Sequence, residues 1–379
     1  MLSFVSTGRA GLIRRAQDSR AADRCSVVSC DGAPLTEDGR CFTHVSEQRQ
    51  QVVLQALRDD PTLTFTRGLT VPSGLLERIL EAAPHDLNRR PYFKRADFSG
   101  ATFPDHVNFG DAQFESQVHF KGTTFTKSAD FQRVVFGEAS FRDATFGGEA
   151  KFAQSQFRDR ADFRQCKFEG DGDFGDCRFA GGADFTEAQF SNSARFSAAR
   201  FDGDVTFARM KVDGEFRLRQ AGFEREANLS RLQVAGFAEL GGCKFALGAD
   251  FTEAQFSSMA RFTDVRFEGN AAFERVRVHG EFRLRQARFQ GTCKFTDSVL
   301  SGGCFALGVR FGEEVSFVNA TWDRDVVFRE ATFNGRCLFE GARFGDLYIS
   351  VTPRSTIGHH SSVPCFRVGR NLAAHASHE

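Results

Sequence analysis

Three cysteines and a histidine fall close together near the start of the chain, as Cys25-Ser-Val-Val-Ser-Cys30, then Asp31-Gly32 and Gly39-Arg40, then Cys41-Phe-Thr-His44. The spacing is C-x4-C-x10-C-x2-H. Thiolate sulfur and imidazole nitrogen are donors that Zn²⁺ prefers, and four of them complete a tetrahedral shell. A full shell leaves no position for water or substrate. The spacing therefore predicts a structural zinc site on Cys25, Cys30, Cys41 and His44, with no catalytic role. Two close ligand pairs joined by a Gly-containing turn suit a zinc knuckle followed by a short loop. The competing reading is a set of reduced, unliganded thiols in a loose segment.

Other reactive residues give weaker patterns. Cys166, Cys177, Cys243, Cys293 and Cys337 each precede a phenylalanine by two positions, and Cys304 stands in a similar run. These six read as compact apolar groups in place of alanine, without metal or disulfide roles. Gly170-Asp-Gly172-Asp-Phe-Gly175 matches G-x-G-x-x-G, but no strand-to-helix transition surrounds it to aim a helix N-terminus at a pyrophosphate. Glu169, Asp171, Asp173 and Asp176 could gather a calcium ion, although a solvated acidic turn is the simpler reading. His106, His119 and His279 have no carboxylate or nucleophile recurring at a useful offset, and neither a nucleophile elbow nor H-E-x-x-H is present. No catalytic residue is predicted, and the chain reads as a non-enzyme.

The elements around the metal ligands divide the chain into five stretches. Residues 1–24 carry Arg9, Arg14, Arg15 and Arg20 without an apolar core long enough for a signal peptide, and read as a disordered leader. Residues 25–45 form the zinc module. In the linker and cap, 46–91, one helix is predicted from Ser46 to Arg58, capped by Ser46 and ending before Pro61. A second is predicted from Gly74 to Ala83, with Ser73 as cap and Leu75, Leu76, Ile79 and Leu80 as its apolar face. That face is expected to cover an open first coil near Phe93 and Phe98. Residues 350–379 read as an irregular tail whose His359, His360, His375 and His378 are solvated.

Between 92 and 349, phenylalanine keeps time. It stands at 98, 103, 109, 114, 120 and 125, in steps that alternate between five and six, and resumes the beat from 152 to 207 after a short irregularity. Val212, Leu218, Phe223, Leu229, Val234 and Leu240 continue it. Such steps fit neither a 3.6-residue helix nor a long alternating strand, so each module is a very short extended piece followed by a turn. The residue two before each beat is small, as at Ala96, Ala101 and Val107, and shares its inward side. Intervening residues such as Asp97, Gln113 and Lys151 face water. Burying one Phe yields roughly 1.5–3 kcal/mol, whereas ordering each residue costs about 1–2 kcal/mol in backbone entropy. One module cannot fold alone, so modules must stack.

The small-polar-Phe pattern, as in Ala183-Asp184-Phe185-Thr186-Glu187-Ala188-Gln189-Phe190, resembles the pentapeptide-repeat family. Its loose consensus is a small residue, Asp or Asn, Leu or Phe, and two variable positions. The resemblance spans Tyr92 to Ile349 and implies a right-handed, four-sided β-helix with four modules per coil. The sixth residue in alternate steps reads as a longer turn at alternate corners, giving 22 residues per coil and about twelve coils. An internal duplication agrees: Gly182 to Ser191 recurs as Gly248 to Ser257, a shift of three such coils. Gly302-Gly303-Cys304-Phe305 echoes Gly241-Gly242-Cys243-Lys244-Phe245 with one residue fewer, so a missing residue and module are expected near Phe305.

Lys+Arg and Asp+Glu both number 49, and pI is near 7.1. This balance gives no support for a polyelectrolyte partner. No apolar run is long enough to span a membrane, and the chain reads as cytoplasmic. The expected role is a non-catalytic scaffold for a protein partner, with a β-helix end available for pairing two copies. The alternative that the resemblance implies is a DNA mimic that regulates DNA gyrase or another topoisomerase. Such a mimic requires an acidic rod, whereas residues 92–349 hold 34 basic and 37 acidic residues.

Overall fold

A period of 22 residues sets most backbone pairing in the repeat region. Ala161 lies opposite Ala183 and Asp162 opposite Asp184 in parallel register, and Phe168 lies opposite Phe190. The computed structural model describes residues 24–351. The leader before residue 24 and the tail from 352, with its four histidines, lie outside the described residues. Most strands are two residues long, and each pairs with the equivalent strand of the next coil. One sheet runs from Thr102–Phe103 to Arg343–Phe344 and contains twelve strands, which gives a parallel β-solenoid of about twelve turns.

The interior follows from the beat. Ala183, Phe185, Ala188 and Phe190 are all buried. Phe163 stacks on Phe185 with ring centroids 4.8 Å apart and planes at 1°, and Phe168 on Phe190 at 4.3 Å. Neighbouring columns meet edge to face, as in Phe174 against Phe185 at 5.3 Å and 85°. Each such ring pair contributes about 0.5–1.5 kcal/mol beyond area burial.

Alternate steps end in a tight turn. Ala188 donates its N–H to the Phe185 carbonyl at 3.0 Å, and Glu187 takes a left-handed φ of 60°. Gln165, Asp176, Ala198 and Arg209 repeat that conformation. It is unfavourable for L-residues, but the fold offsets it with bonds up the stack, as from Glu187 N–H to Ala208 at 3.0 Å. At the other corners successive backbones nearly touch. A Cβ on Gly236 would lie 2.3 Å from the Gly214 oxygen, so only glycine fits there.

The second residue of each module is more than a solvated spacer. The Asp184 carboxylate accepts the Thr186 N–H at 3.0 Å, and Asp97, Asp130 and Asp250 accept from the residue two ahead at 2.8–2.9 Å. Each closes an Asx turn, which satisfies a corner N–H that the coil leaves unpaired.

Near Phe305 no residue or module is missing. Cys304 pairs with Phe282 on one side and Val326 on the other, both at the usual interval. Ala306 takes the inward beat position, and Phe305 falls between beats and turns outward, 38% exposed. The irregularity is in the side chains, not the backbone.

Helix α1 spans Glu47–Ala56, with the Ser46 side chain accepting the Arg49 N–H as predicted. Helix α2 spans Leu75–Ala82, but its cap is Gly74, at φ 80°, instead of Ser73. Leu75, Leu76 and Ile79 join one hydrophobic core with Phe93 and Phe98. The backbone edge of the first coil is met by a different segment. Thr62 and Leu63 pair with Arg95 and Ala96, and Gly68 N–H and Thr102 N–H bond Ser99 and Leu69 at 2.8 and 2.9 Å. With Leu63, Phe65, Leu69 and Val71 buried, residues 62–71 form half a coil, so the exposed edge that would template pairing with another chain is closed.

Candidate metal centre

Local hydrogen bonds bring the four predicted ligands together. Cys25 N–H donates to Gly32 at 2.8 Å and Cys30 N–H to Val27 at 3.2 Å, so Cys25 and Cys30 flank one tight turn. A second turn, with Leu35 N–H on Arg40 at 2.7 Å and Gly39 N–H on Thr36 at 3.0 Å, returns the chain to Cys41. The short 3-10 helix Phe42–His44 then sets His44 beside Cys41.

The donor atoms of Cys25, Cys30, Cys41 and His44 lie within 4.8 Å of one another. His44 Nδ1 is 3.3 Å from both the Cys25 and the Cys41 sulfur, and the Cys30 and Cys41 sulfurs are 3.6 Å apart. The Cys41 backbone N–H donates to the Cys25 sulfur at 3.3 Å. Cys25 and Cys41 are buried, Cys30 half-buried and His44 exposed. Burial pushes the Cys25 thiol up, but hydrogen bonds from the Val27 and Cys41 backbone and from His44 outweigh it and hold the group at about 6. Burial and the adjacent Cys41 sulfur push Cys30 up to about 11. Thiols that resist joint ionisation at this distance are relieved by a divalent cation, which neutralises their charge. The cluster could bind a metal ion, and among the described residues it is the one group with that capacity.

The module is fastened to the solenoid. Phe42 stacks on Phe65 at 4.5 Å and 19°, and Ala33 N–H donates to the Arg67 carbonyl at 2.8 Å. A Cβ on Gly32 would fall 2.9 Å from Cys41 Cβ and 3.1 Å from Leu69 Cδ1. Ligand loop, half coil and first full coil therefore pack in series.

The other candidates are absorbed by the fold. Cys166, Cys177 and Cys243 are fully buried, with sulfurs 2.8–2.9 Å from the carbonyls of Phe141, Phe152 and Leu218. Burial drives these thiols, and those of Cys293 and Cys304, well above their ordinary range and makes them inert. Cys337 corrects the expectation of six unbridged thiols, because it is disulfide-bonded. Its slot lies in the last coil, where inward side chains are only partly buried and a thiol is accessible. Gly172 packs on the Phe190 ring, Asp173 accepts the Gly175 N–H at 2.9 Å, and Asp171 pairs with Arg195 at 2.7 Å. The glycine-rich stretch is a coil corner, not a phosphate cradle. Among the described residues no helix is long and apolar enough to cross a membrane.

A family model for pentapeptide repeats matches the chain in nine copies, from residues 90–135 to residues 306–350. The matched segments cover more than half of the sequence, and the chain belongs to the pentapeptide-repeat family. The comparison with curated proteins gives no match.

Proposed function

We propose that the protein is a non-catalytic scaffold that binds another protein, built as a right-handed, four-sided rod whose N-terminal cap is closed by a structural zinc ion. Four strand positions per coil support the four sides, and the strong right-handed preference of parallel crossovers supports the hand. For zinc, bonds of about 2.3 Å to sulfur and 2.0–2.1 Å to nitrogen give tetrahedral edges of about 3.5–3.8 Å. The contacts of 3.3 and 3.6 Å lie close to those edges.

The observation that carries the scaffold reading is how surface charge is spent. Lys127 pairs with Asp105, Arg133 with Asp111, Arg209 with Glu187 and Arg261 with Glu239, each one coil apart. These groups pair along a rod filled by stacked rings and do not converge on a reaction centre. The same balance opposes gyrase mimicry. Duplex DNA carries one negative charge per ~1.7 Å, so a mimic of about 55 Å needs on the order of thirty surplus negative charges. The rod has a net of −3.

Metal analysis of the full chain should find one zinc per molecule, absent from the Cys25→Ser and Cys41→Ser variants; equal zinc in those variants would remove the assignment. Gyrase supercoiling assays with the full chain should show no inhibition at micromolar concentration. Inhibition there would put the topoisomerase reading first.

A further inference from the structure

One column of cations on the rod is left largely without internal partners. In parallel register it runs through Arg178 and Arg200, passes Gly222, and continues through Lys244, Arg266, Arg288 and Arg310. Five of these six basic residues are exposed and Lys244 is half-buried. Arg178 pairs with Asp202 at 2.7 Å and Lys244 with Glu268 at 3.3 Å. Arg200, Arg266, Arg288 and Arg310 make no side-chain hydrogen bond or ion pair among the described residues.

A second column shows that this is not the rule for the surface. Lys151, Arg195, Arg217, Arg261 and Arg283 also share one register line. Every one of them pairs with a carboxylate, Glu149, Asp171, Glu215, Glu239 and Glu281 in turn. Like charges directly opposite one another across a parallel pair weaken it, so the fold gains nothing from setting Arg266, Arg288 and Arg310 side by side.

We propose that this column is a docking track for an extended, acidic segment of a protein partner. The proposal deepens the scaffold reading and rests on it. Three strand spacings separate Lys244 from Arg310, about 14 Å. Three carboxylates at alternate positions of an extended peptide span about 13 Å on one side of its backbone. The track is one residue wide. Asp202, Asp204, Glu224 and Glu226 beside Arg200 and Gly222, Glu268 beside Arg266, and Glu313 and Glu314 beside Arg310 follow it by two to four positions in the sequence, which suits a single chain and penalises a wider polyanion. A duplex with grooves about 12 and 6 Å wide would lay phosphates over those carboxylates. Single-stranded nucleic acid seeks exposed aromatic platforms, whereas Phe267, Phe289 and Phe311 beside the track are buried.

The test uses the full chain and a fluorescein-labelled peptide of about eight alternating Glu and Thr residues, followed by anisotropy in low salt. The parent should bind, with affinity falling as salt rises. Arg266→Gln/Arg288→Gln/Arg310→Gln should weaken binding about tenfold or more. The control Arg195→Gln/Arg261→Gln/Arg283→Gln should stay within about twofold. The track variant should melt at or above the parent temperature, since only like-charge contacts are removed. Failure of the parent to bind, equal loss in both variants, or a lowered melting temperature in the track variant alone would overturn the proposal. Tighter track-dependent binding of a short DNA single strand or duplex would overturn it in favour of nucleic acid. A protein partner captured equally well by the parent and the track variant would remove the track and leave the scaffold reading standing.

Discussion

The N-terminal cap and the coils hold themselves together by opposite means. In residues 92–349 each coil repeats the same solution, and much of the interior consists of ring columns in which Phe152, Phe174 and Phe196 stack at 4.8 Å intervals, with Leu218, Leu229 and Leu240 filling equivalent slots further on. Most inward residues there, Trp322 apart, are of types that recur along the stack. In residues 24–83 repetition is confined to the half coil at 62–71, and the segment hangs on a few single contacts: four donor atoms, the Phe42–Phe65 stack and that half coil. A distributed core degrades locally when one member is removed, whereas a cap built on one centre is lost as a unit.

That contrast can be broken in several ways. The largest loss should come from Phe190→Ala, about 3–5 kcal/mol by denaturant unfolding, because the cavity sits in a closely packed column that cannot collapse. Cys41→Ser should cost on the order of 3 kcal/mol. Its effect should be confined to the cap: limited proteolysis should open residues 24–45 while the β-sheet circular dichroism of the coils persists. If the coils melt with the cap, the two regions are not energetically separate. Acid should divide them as well. Cys25 is held at about 6 against an ordinary 9.0. A lowered folded value contributes stability in full above 9.0, progressively less as pH falls toward 6, and none below. Metal-free protein should therefore lose protease protection of the cap across that window while the coil signal stays flat.

Smaller effects sharpen the picture within the coils. Asp184→Ala should cost about 1 kcal/mol, since it strips the Asx bond to Thr186 and leaves a corner N–H unpaired. A zero effect would return Asp184 to the role of a solvated spacer. Smallest of all, Arg288→Gln should raise stability by a few tenths of a kcal/mol by relieving its in-register neighbours. Arg283→Gln, which breaks the pair with Glu281, should move it by a similar amount in the other direction.

The coil was legible because its signal is one-dimensional. A beat of Phe with Ala two residues earlier determines which side chains point inward, and the 22-residue sum of its steps fixes the register without knowledge of anything distant. The Cys/His cluster was legible for the same reason, since Cys25, Cys30, Cys41 and His44 are close in sequence. What escaped depends on packing. The half coil carries two modules of the same form, Leu63-Thr-Phe65 and Leu69-Thr-Val71. Bulky leucines stand where the beat has alanine, because the stack has no coil beyond them to crowd the slot. Phe305 misled because it follows Cys304 directly, whereas Phe245 follows Cys243 by two; Cys304 keeps the small inward slot, and burial goes to the residue on the beat, here Ala306. In the paired column, Arg195 and Arg261 could not be told from unpaired arginines by composition, since Asp171 and Glu239 become their neighbours only after about one full turn.

The last coil gives the molecule a preferred order of unravelling. Phe333, Phe339, Phe344 and Ile349 pack against the core only in part, whereas the opposite end is covered by a half coil and a Cys/His cluster. In a stack held by nearest-neighbour contacts, each turn is protected by the turn outside it. Once the Cys337 disulfide is reduced, opening should therefore travel inward from the C-terminal side, one coil after another, and amide exchange should slow in steps from Phe344 toward Phe163. Tension or a protease acting on the reduced chain would peel it from that end, and the docking track, whose Arg310 lies opposite Thr332, would lose its outermost arginine first.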